Sequence, residues 1–326
     1  MNKKSLPRTL LLLGLLAFAC GTAGAIQYPY APYNDGKMDP QLTGWPLTPE
    51  EITYINKPFY NRRPGSESGK VQMEFLPCTP GADGQGGTNG ALNWYASTHE
   101  KLLGALDKFK KDNGTDIDIL LAGDSITWQW IDIRAPYTQY PQQFNAPWTN
   151  HFGKYKTFDI GVAGDKTQGL LWRLDHNGTV GTEGQSLKPK IVILAIGHND
   201  MFFSRETGTK AAANGILWSA KNLRERFPDA HVIVCKIFPN HAPGTAFYDD
   251  AKKINAELDG LIAAEKDPKI HLLPDMWTEM TNPDGTVNDK YFRADEKPGG
   301  KIHVSLDGYE LWASKLQPVV DEILKK

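Results

Sequence analysis

The amino-acid sequence predicts an α/β fold: a three-layer α/β/α sandwich around a parallel sheet of about five strands. Short apolar runs alternate with amphipathic helical segments over the C-terminal two-thirds of the chain. The run Lys190–Ile196 is apolar on both faces, which is typical of a central strand in a parallel sheet. Polar clusters follow the apolar runs, as expected where ligands bind at the carboxyl edge of such a sheet.

The first segment, residues 1–25, has the pattern of a secretory signal peptide. Basic residues precede the apolar run Leu10–Ala19, and a small-residue Ala-Gly-Ala site predicts cleavage after Ala25. The run is too short to span a bilayer comfortably, so we expect no stable membrane insertion. Lipidation at Cys20 is the less favoured alternative, because Phe18 fits poorly before a lipidated cysteine. The protein is therefore predicted to be secreted or periplasmic.

The next segment, residues 26–94, is rich in Pro, Gly, Tyr and Asn and lacks periodicity, which predicts an irregular N-terminal extension. The folded domain is expected over 95–326. Its first helix is predicted to begin at the capping box Ser97-Thr-His-Glu100 and to end at Asn113-Gly114.

The remaining elements follow in alternation. Strands are predicted near 117–122, 157–160, 190–196, 231–237 and 269–273. Helices are predicted near 167–175, 209–226, 248–265 and 307–324.

An insertion, residues 128–151, interrupts this alternation. It contains amide side chains and the aromatic residues Trp128, Trp130, Tyr137, Tyr140, Phe144 and Trp148. These aromatics either line a cleft and stack on sugar rings or pack on the sheet, and the sequence favours neither arrangement.

The charge and cysteine patterns exclude several classes of protein. The formal net charge is −2 and no basic stripe is present, so we expect no nucleic-acid partner. No metal-ligand spacing is visible, which predicts no metal and no cofactor and argues against a metal-dependent phosphoesterase. Cys235 lies in an apolar run and is interpreted as a buried strand residue, although export would permit a disulfide with Cys78.

Four polar clusters carry the candidate chemistry. They are Gly123-Asp-Ser125, Gly161–Gln168, Gly197-His-Asn-Asp200 and His303–Tyr309. Acyl transfer needs a nucleophile, a base and donors for an oxyanion. The hydroxyl, imidazole, glycine N–H and amide of these clusters would supply them. Each cluster alone is typical of a turn or a helix cap, but together they favour a serine hydrolase.

These four ordered blocks resemble the SGNH (GDSL) hydrolase family over roughly residues 95–326. Within it, Gly164–Leu174 resembles the catalytic subunits of platelet-activating-factor acetylhydrolase IB and their bacterial relatives. The resemblance implies a flavodoxin-like fold and metal-free ester hydrolysis. It also implies Ser125 as nucleophile and His303 as base, with an oxyanion hole made by the N–H groups of Ser125 and Gly164 and the amide of Asn199.

The sequence departs from the family at one position. The family places an aspartate three residues before the histidine, and this position is Gly300 here. Our hypothesis is that Asp295 reaches back around the Pro-Gly-Gly loop to orient His303. A backbone carbonyl is the alternative, and so is a pair of solvated loop charges at Asp295 and Glu296.

The function expected from the sequence is a secreted serine esterase that hydrolyses small acyl esters, above all acetyl esters, on carbohydrate. A lipid or simple-ester acylhydrolase and a catalytically weak glycan-binding protein are the alternatives. The expected partner is an acylated small molecule or carbohydrate, and the sequence does not predict an oligomeric state.

Overall fold

The computed structural model describes residues 33–34, 37–38, 89–131, 144–175, 187–202, 209–296 and 301–325. Within these ranges the predicted α/β architecture is confirmed, with a five-stranded parallel sheet between two layers of helices. A two-residue antiparallel pair joins Tyr33–Asn34 to Lys37–Met38. The predicted signal peptide and most of the predicted extension, 26–94, lie outside the described residues.

The sheet positions the polar clusters. Its strands are β1 (Asp116–Gly123), β2 (Thr157–Asp159), β3 (Lys188–Ala195), β4 (His231–Val234) and β5 (Ile270–Leu272). They are ordered β2-β1-β3-β4-β5, and every neighbouring pair is parallel. The chain moves outward from β1 to β2 and then crosses back to β3. The strand order therefore reverses at β1, and such a reversal opens a crevice beyond the carboxyl ends of the strands.

Five of the helices in the described residues correspond to predicted ones, whereas the helices Ser125–Trp130 and Asn145–Phe152 were not predicted. The helices are α1 (Asn89–Asn113), α2 (Ser125–Trp130), α3 (Asn145–Phe152), α4 (Thr167–Asp175), α5 (Thr209–Arg226), α6 (Ala246–Ala264) and α7 (Leu306–Leu324). Short 3₁₀ helices cover Asn199–Phe202 and Asp289–Tyr291.

The start of α1 differs from the prediction. The helix begins at Asn89, so Ser97 and Glu100 lie inside it and do not form its N-terminus. A Ser-x-x-Glu pattern is compatible with a helix interior, and Ala91 and Leu92 are good helix formers that extend the helix toward its N-terminus. The boundary expected at residue 95 accordingly falls within this helix.

Each face of the sheet has its own apolar core. Along β1, Leu120 and Ala122 point to one face, whereas Ile119 and Leu121 point to the other. The first face packs against α1, α4, α5 and α6, and the second packs against α2, α3 and α7. Because side chains alternate across a strand, a strand that is apolar at every position must be covered on both faces.

The described aromatics of the insertion are buried. Trp128, Trp130, Phe144 and Trp148 are each 5% exposed or less. Trp130 stacks on Trp312 of α7 at a ring-centroid distance of 4.3 Å. These four aromatics therefore pack inside the molecule, which decides between the two expected arrangements for them. Tyr137 and Tyr140 lie outside the described residues.

Cys235 follows β4 as a free, buried cysteine, in agreement with its interpretation as a small core residue. Burial raises the pKa of its thiol to about 12. Cys78 lies outside the described residues. None of the helices described is long and apolar enough to cross a membrane.

Candidate active site

Ser125 lies at the carboxyl edge of the sheet because β1 ends two residues earlier. Asp124 caps α2, with Oδ1 accepting a hydrogen bond from the N–H of Ile126 at 2.9 Å, and Ser125 is the first residue of the helix. A Cβ atom at Gly123 would lie 2.2 Å from the carbonyl oxygen of Ala195 on β3. Glycine is therefore required at the end of β1, two residues before the serine, because the backbone of β3 passes too close for a side chain.

His303 is brought to Ser125 from the segment that leads into α7. Its carbonyl accepts a hydrogen bond from the N–H of Arg293 at 2.9 Å, which fixes the backbone. Tyr309 of α7 donates its hydroxyl hydrogen to the carbonyl of Ile126 at 2.6 Å, joining α7 to α2. Ser125 Oγ and His303 Nε2 lie 2.8 Å apart, although 178 residues separate them in the chain.

Glu296 holds the other side of the imidazole. Its Oε1 is hydrogen-bonded to His303 Nδ1, and its Oε2 accepts from the N–H groups of Ile302 at 2.7 Å and His303 at 3.0 Å. Burial acts to raise the pKa of Glu296, but these hydrogen bonds outweigh it and hold the pKa below its usual value. A carboxylate at Nδ1 retains a proton there, so Nε2 is free to accept one from Ser125.

The structure corrects the Asp295 hypothesis. The carboxylate of Asp295 pairs with Arg293, at 2.9 Å from Nε, and its side chain is 64% exposed, compared with 18% for Glu296. The chain turns here so that the first of the two acidic side chains points to solvent and the second points to His303. The alternative in which both are solvated is wrong for Glu296, and the usual aspartate position, Gly300, lies outside the described residues.

The candidate oxyanion donors lie at three adjacent strand ends. Gly164, after β2, has a φ of +77°, a conformation that favours glycine. Asn199, after β3, donates from Nδ2 to the carbonyl of Asp165 at 2.9 Å and lies 3.5 Å from Asp124 Oδ2. The second contact is at the outer limit of hydrogen bonding, so this N–H can turn to a stronger acceptor such as an oxyanion. Ser125 N–H begins α2 on the same edge.

A cluster of buried carboxylates supports these donors. Burial, with the nearby charges of Asp165 and Asp200, raises the pKa of Asp124 to about 8. Asp124 is thus largely protonated at neutral pH and accepts only weakly from Asn199. Asp200 accepts from the hydroxyl of Thr167 at 2.6 Å and from its N–H at 3.1 Å, fixing the start of α4.

His198 is a buried neighbour of the site to which the sequence assigned no role. Burial, followed by the nearby charge of His303, lowers the pKa of His198 to about 3. Its Nε2 accepts from the N–H of Phe238 at 3.1 Å. His198 therefore stays neutral at working pH and adds no second charge beside His303.

The chemistry open to this arrangement is acyl transfer. The Ser125 hydroxyl lies on one imidazole nitrogen of His303, the Glu296 carboxylate holds the other nitrogen, and N–H donors lie at the neighbouring strand ends. Within the described ranges there is no group of three or more His, Cys, Asp and Glu residues that could hold a metal ion. Metal-free hydrolysis stays a prediction, which is checked by whether EDTA leaves turnover unchanged.

Fold and site together define an α/β protein of the serine-hydrolase type, with its chemistry at the switch point of a doubly wound sheet. The chain belongs to the GDSL-like Lipase/Acylhydrolase family, whose sequence profile matches residues 121–311. The resemblance inferred from the four polar blocks is thereby confirmed.

Curated relatives are platelet-activating factor acetylhydrolase IB subunits. The Homo sapiens alpha1 subunit is 28% identical over 141 residues, which cover 43% of this chain and 56% of the relative. The Rattus norvegicus alpha2 subunit is 26% identical over 162 residues, which cover 50% and 58%. The chain thus spans a little over half the length of these relatives.

A solved structure from Streptococcus pneumonia, described as a candidate platelet activating factor, shares the fold. It superposes with a TM-score of 0.51 at 19% identity, over 70% of this chain and 95% of the other. At this identity the likeness concerns the fold alone.

Proposed function

We propose that the protein is a serine ester hydrolase that removes small acyl groups, acetyl above all, from carbohydrate hydroxyl groups. One observation carries the proposal: Ser125 Oγ lies 2.8 Å from His303 Nε2 while Glu296 occupies His303 Nδ1. Family membership supports ester hydrolysis.

In the proposed reaction, Ser125 Oγ attacks the acyl carbonyl carbon and its proton passes to His303 Nε2. The N–H groups of Ser125 and Gly164 and the amide of Asn199 stabilise the oxyanion. The tetrahedral intermediate collapses, the alcohol leaves with the proton from His303, and Ser125 carries the acyl group. Water then repeats the steps with His303 as base and releases the carboxylic acid. Glu296 keeps the imidazole oriented and stabilises its cationic form throughout.

The acetyl preference is supported by the names of the relatives, which are acetylhydrolases. The carbohydrate preference rests on the predicted export of the chain, since residues 1–25 resemble a signal peptide and exported esterases meet acylated polysaccharides. The buried Trp130 and Trp148 give sugar stacking no support. The second candidate substrate is therefore platelet-activating factor or a similar ester, which the relatives' names favour.

The alternative function, a catalytically weak glycan-binding protein, no longer has an observation in its favour. It depended on a missing carboxylate beside His303, and Glu296 supplies one.

The experiment that tests the proposal is turnover of p-nitrophenyl acetate by the protein beginning at Ile26. We expect Ser125→Ala to lower the rate on the order of a million-fold, as loss of a serine nucleophile does. Ser314→Ala is the matched control, because Ser314 is exposed and bonds only within its own helix in the contacts described. Wild-type turnover by folded Ser125→Ala would contradict the serine mechanism.

Substrate class is tested with acetylated xylan, acetylated sialic acid, platelet-activating factor and p-nitrophenyl esters of increasing acyl length. The proposal expects the highest kcat/KM for an acetylated carbohydrate and a fall in kcat/KM beyond short acyl chains. A higher kcat/KM for platelet-activating factor would establish the second candidate instead.

A further inference from the structure

Arg173, on α4, is a charged residue with no solvent exposure. A buried guanidinium is strongly unfavourable unless it is paired and hydrogen-bonded. Its partner is Asp165, eight residues earlier, whose side chain is also fully buried. Arg173 Nε and Nη2 lie 2.8 Å and 2.5 Å from Asp165 Oδ2. Such a pair fixes the loop between β2 and α4 to the helix that follows it.

The remaining donors of Arg173 reach the ends of two strands. Nη1 donates to the carbonyl of Ile160, directly after β2, at 2.5 Å, and Nη2 lies 3.5 Å from the carbonyl of Gly123 at the end of β1. Gly123 stands two residues before Ser125. One side chain therefore holds the end of β2 and the loop beyond it, and it also lies close to the end of β1.

Asp165 connects this guanidinium to two oxyanion donors. It follows Gly164 directly, and its own N–H donates to the carbonyl of Val162 at 3.1 Å, which closes a turn around the peptide that carries the Gly164 N–H. Its carbonyl accepts the 2.9 Å hydrogen bond from the Asn199 amide. Burial raises the pKa of Asp165 to about 6 against the opposing charge of Arg173, so the carboxylate is ionised at neutral pH and keeps its ion pair.

We propose that Arg173 is a positioning residue for the oxyanion hole, acting through Asp165 on Gly164 and Asn199. This inference rests on the proposed serine mechanism. The described contacts of Arg173 go to the carboxylate of Asp165 and to the carbonyls of Ile160 and Gly123. Its effect is the placement of donors, and placement errors of about 1 Å lower rates by as much as about 100-fold.

The competing hypothesis is that Arg173 only stabilises the fold. Arg224 provides a matched control, because it makes the same kinds of contact at the opposite edge of the sheet. Its Nε donates to Asp267 at 2.8 Å, and its Nη1 donates to the carbonyl of Ala230, directly before β4, at 2.7 Å. A purely structural arginine should affect the melting temperature, as we expect of Arg224, and leave kcat unchanged.

The test measures kcat, KM and Tm for Arg173→Lys and Arg224→Lys with p-nitrophenyl acetate. We expect Arg173→Lys to lower kcat about 10- to 100-fold with KM changed by less than about threefold. Arg224→Lys should lower Tm and leave kcat per folded molecule unchanged. Equal kcat in the two folded variants would overturn the proposal.

A double variant tests the route of the effect. If Arg173 acts through Asn199, Arg173→Lys with Asn199→Ala should lower kcat by less than the product of the single losses. A loss of kcat in the double variant equal to the product of the two single losses would overturn the proposal.

Asp165→Asn, which preserves shape and removes the charge, carries the same expectation if Arg173→Lys does not fold. Ser125→Ala distinguishes failure of the positioning role of Arg173 from failure of the proposed serine mechanism. If Ser125→Ala is inactive and Arg173→Lys keeps the wild-type kcat, only the positioning role is rejected. If Ser125→Ala is fully active, the serine mechanism and the positioning role are both rejected.

Discussion

At the scale of single residues, the contact of Glu296 with His303 Nδ1 decides which imidazole nitrogen carries the proton. We predict that Glu296→Gln lowers kcat on the order of 10⁴-fold. The glutamine amide can donate to Nδ1, which would favour a proton on Nε2 and prevent that nitrogen from accepting one from Ser125. Steady-state kinetics with p-nitrophenyl acetate measure this loss.

Asp295→Asn is the matched control for Glu296→Gln. It changes the neighbouring acidic residue, which is exposed and pairs with Arg293. Its kcat should stay within about twofold of the wild-type value. Loss of activity in Asp295→Asn with retention in Glu296→Gln would reverse the two assignments.

The buried carboxyl of Asp124 predicts a pH-dependent stability. Its pKa is about 8 in the folded protein against an ordinary value of 3.8, so the folded state keeps a proton that the unfolded state has lost. Where the folded state binds more protons, stability falls as pH rises, here between about pH 4 and pH 8. Asp124→Asn removes this titration, so its Tm relative to wild type should rise from pH 5 to pH 8.

Thermal melts of both proteins over this range check the Asp124 prediction. Asp118→Asn is the control. The pKa of Asp118 is lowered: burial acts to raise it, but Lys190 and Lys156 outweigh that effect. Asp118 is therefore charged in both states above pH 5, and the difference in Tm between Asp118→Asn and wild type should not vary with pH. An equally constant difference for Asp124→Asn would show that Asp124 is ionised in the folded state.

The site residues differ in how far the sequence could predict them. Ser125, Gly164 and Asn199 each follow an apolar strand, and strand order in a doubly wound sheet brings those ends together. Glu296 precedes a Pro-Gly-Gly segment. The conformational preferences of such residues do not determine which way the preceding side chains point. An acidic pair preceding that segment was the only signal, and choosing between its members required the fold.

At the scale of elements, α7 closes the site by its contact with α2. Tyr309 is fully buried and donates to the carbonyl of Ile126. We predict that Tyr309→Phe lowers the free energy of unfolding by about 1–3 kcal/mol, because a buried acceptor loses its donor. Urea unfolding monitored by circular dichroism measures this change.

Tyr155→Phe is the control for Tyr309→Phe. It removes a hydroxyl that donates to Asp321 of the same helix at 3.0 Å in a partly exposed position. Water can replace that contact, so the loss should stay below about 1 kcal/mol. A loss in Tyr309→Phe no larger than the loss in Tyr155→Phe would contradict a stabilising role for the α7–α2 contact.

Helices and strands were predictable where the spacing of apolar residues in the sequence matches the faces that are buried in the fold. The strands β1 and β3 are apolar on both faces because helices cover both, and short runs of this kind between turn signals are typical of central strands in an α/β chain. The start of α1 was not predictable, since Ser-x-x-Glu occurs both at helix ends and inside helices. The aromatic insertion was equally ambiguous, because burial of Trp130 requires α7, which lies far along the sequence.

At the scale of the whole molecule, the sheet couples the two apolar cores, because alternate residues of the same strands belong to each. Unfolding one helical layer would expose the sheet side chains beneath it. We therefore expect the described part of the domain to open as one cooperative unit, and Cys235 offers a way to observe that opening.

Cys235 is 1% exposed and belongs to the core between the sheet and α7. The chain has three cysteines, so Cys20→Ser with Cys78→Ser leaves Cys235 as the only thiol. Its pKa of about 12 suppresses the reactive thiolate in the folded state. We predict that a thiol reagent labels the native protein at least about 1000-fold more slowly than the unfolded chain, since global opening of a stable domain is at least that rare.

The urea dependence of this labelling identifies the motion. If Cys235 is reached only by global unfolding, the logarithm of the labelling rate rises with urea at the slope of equilibrium unfolding. Fast labelling with little urea dependence would instead show that α7 separates locally from the sheet. Since α7 follows His303 and contacts α2 through Tyr309, such local opening would also separate His303 from Ser125 and lower kcat.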